Sequence, residues 1–510
     1  MSVPDVSVVV PVYNTMPYLT ECLDSLVRQT IGRDRMQIVA VDDGSTDRGG
    51  AELDRYARRY PGLFTVIHQA NSGGPAGPCN TGLDAATGRY VFFVGADDHL
   101  GREALARLVA AADEWDSDVV LGKVVGVNSR HIYQDIFART EKDLDLFDSA
   151  LPRSLANTKL FRRELLERHR IRYREDMRIG SDLPFTLEAC YRAGRISVLA
   201  DYEFYYAVRR FSGTNITYLS KHVLRVRTVE KVMAFVTGLI PPGKQRDAIL
   251  LRRFDHEIAR LLEDDFLRLD EQTQRVVHDA LGRLVAEHLT AEINDQLGAE
   301  TRIRLALTRD GEVADLITAI RQDAEIGVPP TVVKNGRRYA RYPGFGRLPD
   351  AVFDVTTAPE WPVKLDATAV SWSGDELTIT ARAAVARTGP LSVSAGEIPA
   401  EVTTDGTTVR IRFRASELLE RSDPTGQRRA VSAQPGAFDP ARAPGANSAT
   451  GAGGAAAVRA PGLRPRAVVR RRGARPYVVT PTVDESGRLM ISVVPVTAKR
   501  VAAQLRKRPG

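Results

Sequence analysis

Cysteine is scarce in this chain, with three residues, Cys22, Cys79 and Cys190, among 510. Three thiols are too few for a disulfide framework, so a reduced compartment is the default. The same scarcity removes a thiolate metal cluster, and any metal has to be held by carboxylates. The eight histidines show no metal-ligand spacing; His68 and His99 read as ordinary strand-end and turn residues. No apolar run is long enough to span a bilayer. The opening MSVPDVSVVVPVYN has no basic lead and no small-residue cleavage site, so no signal peptide is expected. The expected location is the cytoplasm, peripheral at the inner face of the membrane. The glycine-rich segment 71–78 lacks both the P-loop lysine and the dinucleotide glycine spacing. No aromatic residues interleave with the arginines near 470, so nucleic acid is not an expected partner.

What is present points to two or three soluble domains. The net charge of +7 suits an anionic partner such as a phosphate-rich polymer or an anionic surface. In the first 121 residues, short β-branched apolar runs at 6–10, 36–41, 64–68, 90–94 and 118–121 alternate with amphipathic stretches. That alternation predicts an α/β domain with helices on both faces of a parallel sheet. Ligands of such sheets sit at the carboxyl ends of strands. Polar clusters fall at those ends: Tyr13-Asn14, Asp42-Asp43, Asn71-Ser72-Gly73-Gly74 and Asp97-Asp98.

Residues 220–325 read as helical, with a packing stripe at Leu251, Phe254, Ile258, Leu261 and Leu262. Beyond 330 the period changes to two: Val409, Ile411 and Phe413 alternate with Arg410, Arg412 and Arg414, and Leu489, Ile491 and Val493 repeat the pattern. The expected domains are therefore 1–218, α/β; 219–328, a helical linker; and 329–510, a β-sandwich-like module. A disordered Ala/Gly/Pro/Arg-rich loop is expected to interrupt the module at about 421–475.

Several residue sets admit both a chemical and a plain reading. Asp97 and Asp98 follow a strand and could ligate a hard divalent cation or simply cap the next helix. Asp42 and Asp43 could accept from a uracil N3–H or cap a helix. Asp182, in IGSDLPF, could serve as a general base or as the N-cap of a helix over 183–192. Arg209, Arg210, Ser212 and Thr214 could meet a diphosphate from a loop.

VSVVVPVYNTMPYLTECLDSLVRQT, IVAVDDGSTD, NSGGPAGPCNTGLDAATGRYVFFVGADD and IGSDLPF occur in that order within the first 215 residues. Together they resemble family 2 glycosyltransferases of the GT-A fold. The resemblance implies an inverting transferase using a nucleotide-sugar, commonly a UDP-sugar, with Mn²⁺ or Mg²⁺. It puts Pro11, Tyr13, Asp43 and Asn71 around the nucleotide, makes Asp97 the metal ligand and Asp182 the base. Asp98, Arg209 and Arg210 join the expected donor-binding set. The layout is most similar to bacterial wall-teichoic-acid glycosyltransferases, which implies an anionic polymer or glycan as acceptor and a trimer formed through the β module. Three positions depart from the family pattern: Gly95 replaces an Asp, Cys79 an Arg, and Ile216 a metal-ligating His found in some relatives. The Gly95 and Cys79 departures motivate an alternative, an inactive scaffold that binds anionic polymer through its basic C-terminal half.

Overall fold

The computed structural model describes residues 3–128, 130–210 and 221–325. Beyond these it describes 331–335, 337–356, 365–383, 391–405, 407–422, 427–435, 456–460, 467–472, 475–484 and 488–496. The chain divides into two compact units, Met1–Arg309 and Asp310–Gly510.

The first unit is built on an eight-stranded sheet of spatial order β3-β2-β1-β4-β7-β6-β8-β5. Its strands are β1 Val6–Val12, β2 Met36–Asp42, β3 Phe64–His68, β4 Tyr90–Phe93, β5 His99–Leu100, β6 Val119–Val127, β7 Lys159–Arg162 and β8 Ile196–Val208. β1 to β4 are mutually parallel, as the alternating pattern predicts, and Val12 pairs with Asp42 while Asp42 pairs with His68. Their carboxyl ends therefore form one rim. The sheet as a whole is mixed: β7 runs antiparallel to both β4 and β6, and β5 antiparallel to β8. The sequence reading omitted β5, β7 and β8. β5 and β7 have two and four residues, too short for a period to register, and β8 mixes buried and exposed positions without clean alternation.

Helices α1 Tyr18–Val27, α2 Gly49–Arg59, α3 Ala76–Asp84, α4 Ala104–Trp115, α5 Arg163–Arg168 and α6 Asp182–Arg192 pack around the sheet. α3 begins directly after Pro75, which occupies its N-cap and has no N–H to leave unpaired. The helical segment starts with α7, His222–Leu239, and α8, Lys244–Arg252. A π-helical turn, Arg253–Ile258, follows. The expected packing stripe is real, with Phe254, Ile258, Leu261 and Leu262 all buried. No helix among the described residues is long and apolar enough to cross a membrane.

α6 is anchored by aromatic packing. Phe185 stacks on Tyr173 at 4.1 Å between ring centroids and meets the edges of Phe93 and Phe161, each at 5.4 Å. Phe93 ends β4 and Phe161 lies in β7, so this cluster fixes the start of α6 beside the carboxyl end of β4. Phe185→Ala is expected to cost about 3–5 kcal/mol, read as a lowered denaturation midpoint in urea. An unchanged midpoint would mean that the ring is not an anchor.

In the second unit, two sheets share one apolar core. Leu365–Ser373, Glu376–Ala383, Thr408–Arg414 and Glu401–Asp405 form the first sheet. Leu391–Ala395, Gln427–Pro435, Leu489–Pro495, Arg475–Val483 and Val468–Arg472 make most of the second. Leu377, Ile379, Ile411 and Phe413 of one meet Val393, Val431, Val479 and Ile491 of the other. The disordered loop expected over 421–475 is thus corrected in its described parts. Strands run at Gln427–Pro435, Ala456–Ala457 and Val468–Arg472. Sheet neighbours supply hydrogen bonds that composition cannot foresee. Residues 436–455, at the centre of that loop, lie outside the described residues.

Candidate active site

The rim at the ends of β1 to β3 is held by two side chains that fold loops onto each other. Asn14 has φ near 49°. Its Oδ1 accepts from the backbone N–H of Thr46 at 2.8 Å and of Asp47 at 3.2 Å, joining the β1 and β2 loops. Asp43 is buried, and its carboxylate accepts from Gln69 Nε2 at 2.7 Å and from Ser72 through both N–H and Oγ. Asn71 Nδ2 donates to the Asp43 carbonyl at 2.9 Å. Asp43 and Asn71 are brought together, and their visible work is to shape the glycine-rich loop. Asp42 instead accepts from Ser45 N at 2.9 Å and pairs with His68 Nδ1 at 2.9 Å. These contacts hold Asp42 below its ordinary pKa against the cost of burial and lift His68.

The glycine loop faces the segment before α6. A cleft between them is lined by Ser72, Gly73, Gly77, Glu175, Met177 and Arg178, among others. Gly74 lies flush on the Arg178 backbone, where an added Cβ would stand 3.0 Å from the Arg178 carbonyl oxygen. Of the remaining expected nucleotide contacts, Pro11 sits within β1 opposite Val41, and Tyr13 is exposed at the rim.

The two carboxylates after β4 have different surroundings. Asp97 Oδ2 accepts from Arg210 Nε at 2.8 Å, and Arg210 Nη1 also reaches the Asn14 carbonyl at 3.4 Å. This links the β4 end, the β8 end and the β1 loop. Asp98 is turned inward: it accepts from Tyr205 Oη at 2.6 Å, Val208 N at 2.7 Å and Arg130 Nη1 at 3.4 Å. Burial and then the neighbouring Asp97 charge push its carboxyl up to about 6. Asp98 therefore ties β4 to β8. Gly95 donates its N–H to Tyr205 Oη at 3.0 Å, and a Cβ there would come within 2.8 Å of Asp98 Oδ2. A larger residue at 95 would need this knot rearranged. Arg209 donates its backbone N–H to Val127 at 3.2 Å. Ser212, Thr214 and Ile216 lie outside the described residues.

Asp182 is the first residue of α6, with Ser181 at the N-cap making no side-chain cap bond. Burial lifts the Asp182 carboxyl above its usual range. Its own and the Leu183 backbone N–H groups, together with the charges of Lys159 and Arg253, oppose that rise. Cys79 lies near it, with its thiol pushed up first by burial and then by the Asp182 charge. Lys159, Arg253 and Tyr173 were missed in the sequence, and Tyr205 reads there as a packing residue only. Lysine, arginine and tyrosine carry no pattern that separates a buried member from the exposed majority.

Residues 7–199 match the family described as glycosyl transferase family 2. This part of the chain is a family 2 glycosyltransferase domain. Residues 225–320 match the glycosyl transferase TarS linker domain. The chain is similar to the poly(ribitol-phosphate) beta-glucosyltransferase of Bacillus spizizenii, 30% identical over 360 residues, 67% of this chain and 54% of that protein. It is also similar to the Staphylococcus aureus poly(ribitol-phosphate) beta-N-acetylglucosaminyltransferase TarS, 39% identical over 204 residues, 40% of this chain and 35% of that protein. The chain thus spans about half and about a third of those relatives' lengths. The S. aureus TarS crystal structure shares the fold at TM-score 0.61 and 20% identity, covering 97% of this chain and 86% of that one. TarS 1–349 in complex with UDP-GlcNAc matches at TM-score 0.58 and 27% identity, covering 66% of this chain and 97% of that one. The fold is the GT-A mixed sheet, followed by the linker helices and β-rich sheets.

Proposed function

We propose that the family 2 domain transfers a sugar from a UDP-sugar, with inversion, to a hydroxyl of an anionic cell-envelope polymer of the poly(ribitol phosphate) type. The observation that carries this reading is the packing of Phe185, in the first turn of α6 with Asp182, against Phe93 at the end of β4, the strand that leads to the Arg210–Asp97 pair. In the reaction the acceptor oxygen forms a bond to the anomeric carbon as the bond from that carbon to the diphosphate breaks. Asp182 takes the acceptor hydroxyl's proton, which makes the attacking oxygen a competent nucleophile. Arg210 offsets the negative charge that builds on the leaving diphosphate. Asn14, Asp43 and Asn71 hold the loops that approach the nucleotide, with Pro11 and Tyr13 on the same rim, and Arg209 stands next to Arg210 at the end of β8.

The donor set suits a divalent cation held largely by the donor itself. Among the described residues no group of three or more His, Cys, Asp or Glu could hold a metal. Asp97 supplies one hard carboxylate, and a diphosphate with waters completes the shell of Mn²⁺ or Mg²⁺. When bound, that ion would act as a Lewis acid on the leaving group. Peripheral placement at the inner membrane face, beside a polymer under construction, and self-association as a trimer through the β unit complete the proposal. The inactive-scaffold alternative is not favoured, because the matched relatives are named as transferases.

The test is UDP release and polymer mass increase when the purified chain meets UDP-glucose or UDP-GlcNAc and poly(ribitol phosphate), with Mn²⁺ and with EDTA. One donor is expected to support transfer. Neither transfer nor donor hydrolysis with any common nucleotide-sugar would overturn the reading.

A further inference from the structure

We propose that Arg178 holds a phosphate of the acceptor polymer in the cleft before α6, and so selects an acceptor that carries phosphate. The inference rests on the reading of poly(ribitol phosphate) as acceptor and Asp182 as base.

Arg178 stands in the cleft between the glycine loop and the segment that leads into α6. The cleft encloses about 380 Å³, a size that suits a small ligand group. One wall, within Ser72–Gly77, is mostly glycine and offers backbone more than side chain. The other wall carries Glu175, Met177 and Arg178. Two contacts fix the arginine there. Gly74 rests on its backbone, and its Nε donates to the Gly73 carbonyl at 3.3 Å. The buried side chain of Met177 anchors the residue before it.

Charge separates Arg178 from its neighbours. Arg172 pairs with Asp84 at 3.1 Å, and Arg174 with Asp176 at 3.1 Å. Asp176 is also paired with Lys231 of α7 at 3.0 Å, and Glu175 accepts from Asn80 Nδ2 at 2.9 Å. Of these three arginines Arg178 is the one with no carboxylate partner among the described residues, and its terminal Nη groups make no hydrogen bond there. The guanidinium is held by Nε and presents its remaining N–H groups to solvent.

Asp182 follows four residues later, so the two Cα atoms are at most about 14 Å apart. In poly(ribitol phosphate) every hydroxyl has phosphates a few bonds away on either side. A hydroxyl presented to Asp182 brings such a phosphate towards a carboxylate that repels it. A cation close by offsets that repulsion, and a guanidinium can offer two parallel N–H groups to phosphate oxygens. The donor diphosphate has its own proposed cation in Arg210, held at Asp97, whereas Arg178 is held by the loop after β3.

The test is steady-state transfer from UDP-glucose or UDP-GlcNAc to poly(ribitol phosphate), beside calorimetric binding of UDP. A phosphate contact made equally before and during reaction sets KM and not kcat. Arg178→Gln is expected to raise KM for the polymer by about ten-fold, with kcat changed less and UDP affinity unchanged. The penalty should shrink as salt is raised, because an exposed ion pair is screened. Glu175→Gln keeps an oxygen for Asn80 and removes a negative charge from the cleft, so it should lower KM for the polymer. Circular-dichroism melting reports whether each variant is folded. An unmoved polymer KM in folded Arg178→Gln would overturn the inference. UDP affinity falling in step with polymer KM would also overturn it, leaving a role in the nucleotide loop. Should that variant not fold, an unmoved polymer KM in Glu175→Gln overturns it instead. The parent protein separates the two readings. If it transfers no sugar to the polymer, the acceptor assignment fails; if it transfers and the variants leave KM in place, the Arg178 inference fails alone.

Discussion

Asp182→Asn is expected to lower kcat by about 10³-fold while donor affinity stays nearly unchanged, because a general base acts in the transition state and not in the donor complex. Calorimetric binding of UDP or the UDP-sugar, set beside single-turnover transfer, checks both halves. The side chain keeps its size, and no cap hydrogen bond from Ser181 is at stake at this helix start. Stability supplies an independent sign. The folded-state pKa of Asp182 is raised, so the ionised carboxyl opposes folding above the unfolded-state pKa, and protonation as pH falls relieves that cost. The neutral amide should therefore melt at or above the parent temperature at neutral pH. A marked drop in melting temperature would instead support a helix-capping role. In the parent enzyme the acid limb of activity should lie above the ordinary carboxylate range, since burial is the leading cause of the shift.

Asp97→Ala is the second large effect. Arg210 loses its 2.8 Å partner, and the donor loses the carboxylate proposed to meet its metal-bound diphosphate. kcat/KM is expected to fall by about 10²-fold or more, with donor affinity and its response to Mn²⁺ falling together. Titration of the variant with a UDP-sugar, with Mn²⁺ and with EDTA, measures both. Wild-type affinity in the variant, with the metal response intact, would remove Asp97 from the donor site. Asp98 stands one residue away but spends its oxygens on Tyr205, Val208 and Arg130, so its work is to fix the β4–β8 junction.

Those two neighbouring aspartates show where reading along the chain stops. Adjacent residues at a strand end point in different directions, and which one faces inward depends on β8, over 100 residues later. Gly95 and Cys79 illustrate the same limit. Both were visible as departures from the family pattern. The sequence did not show that Gly95 leaves room for the Asp98–Tyr205 contact, or that Cys79 sits buried near Tyr173 and Asp182.

By itself the sequence determined the parallel half of the sheet and the rim where its polar clusters gather, because β-branched runs ending in Asp, Asn and Gly state strand and turn locally. It determined the family through four motifs in order, and the alternating strands Val409–Phe413 and Leu489–Val493 through their period of two. Only the tertiary structure decided the antiparallel half, the strands at Gln427–Pro435 and Val468–Arg472, and the difference between Asp97 and Asp98. Only it buried the charged groups of Lys159 and Arg253. Strand pairing and the burial of a charge depend on partners distant in sequence, and no local pattern of residues encodes what a side chain will meet across the fold.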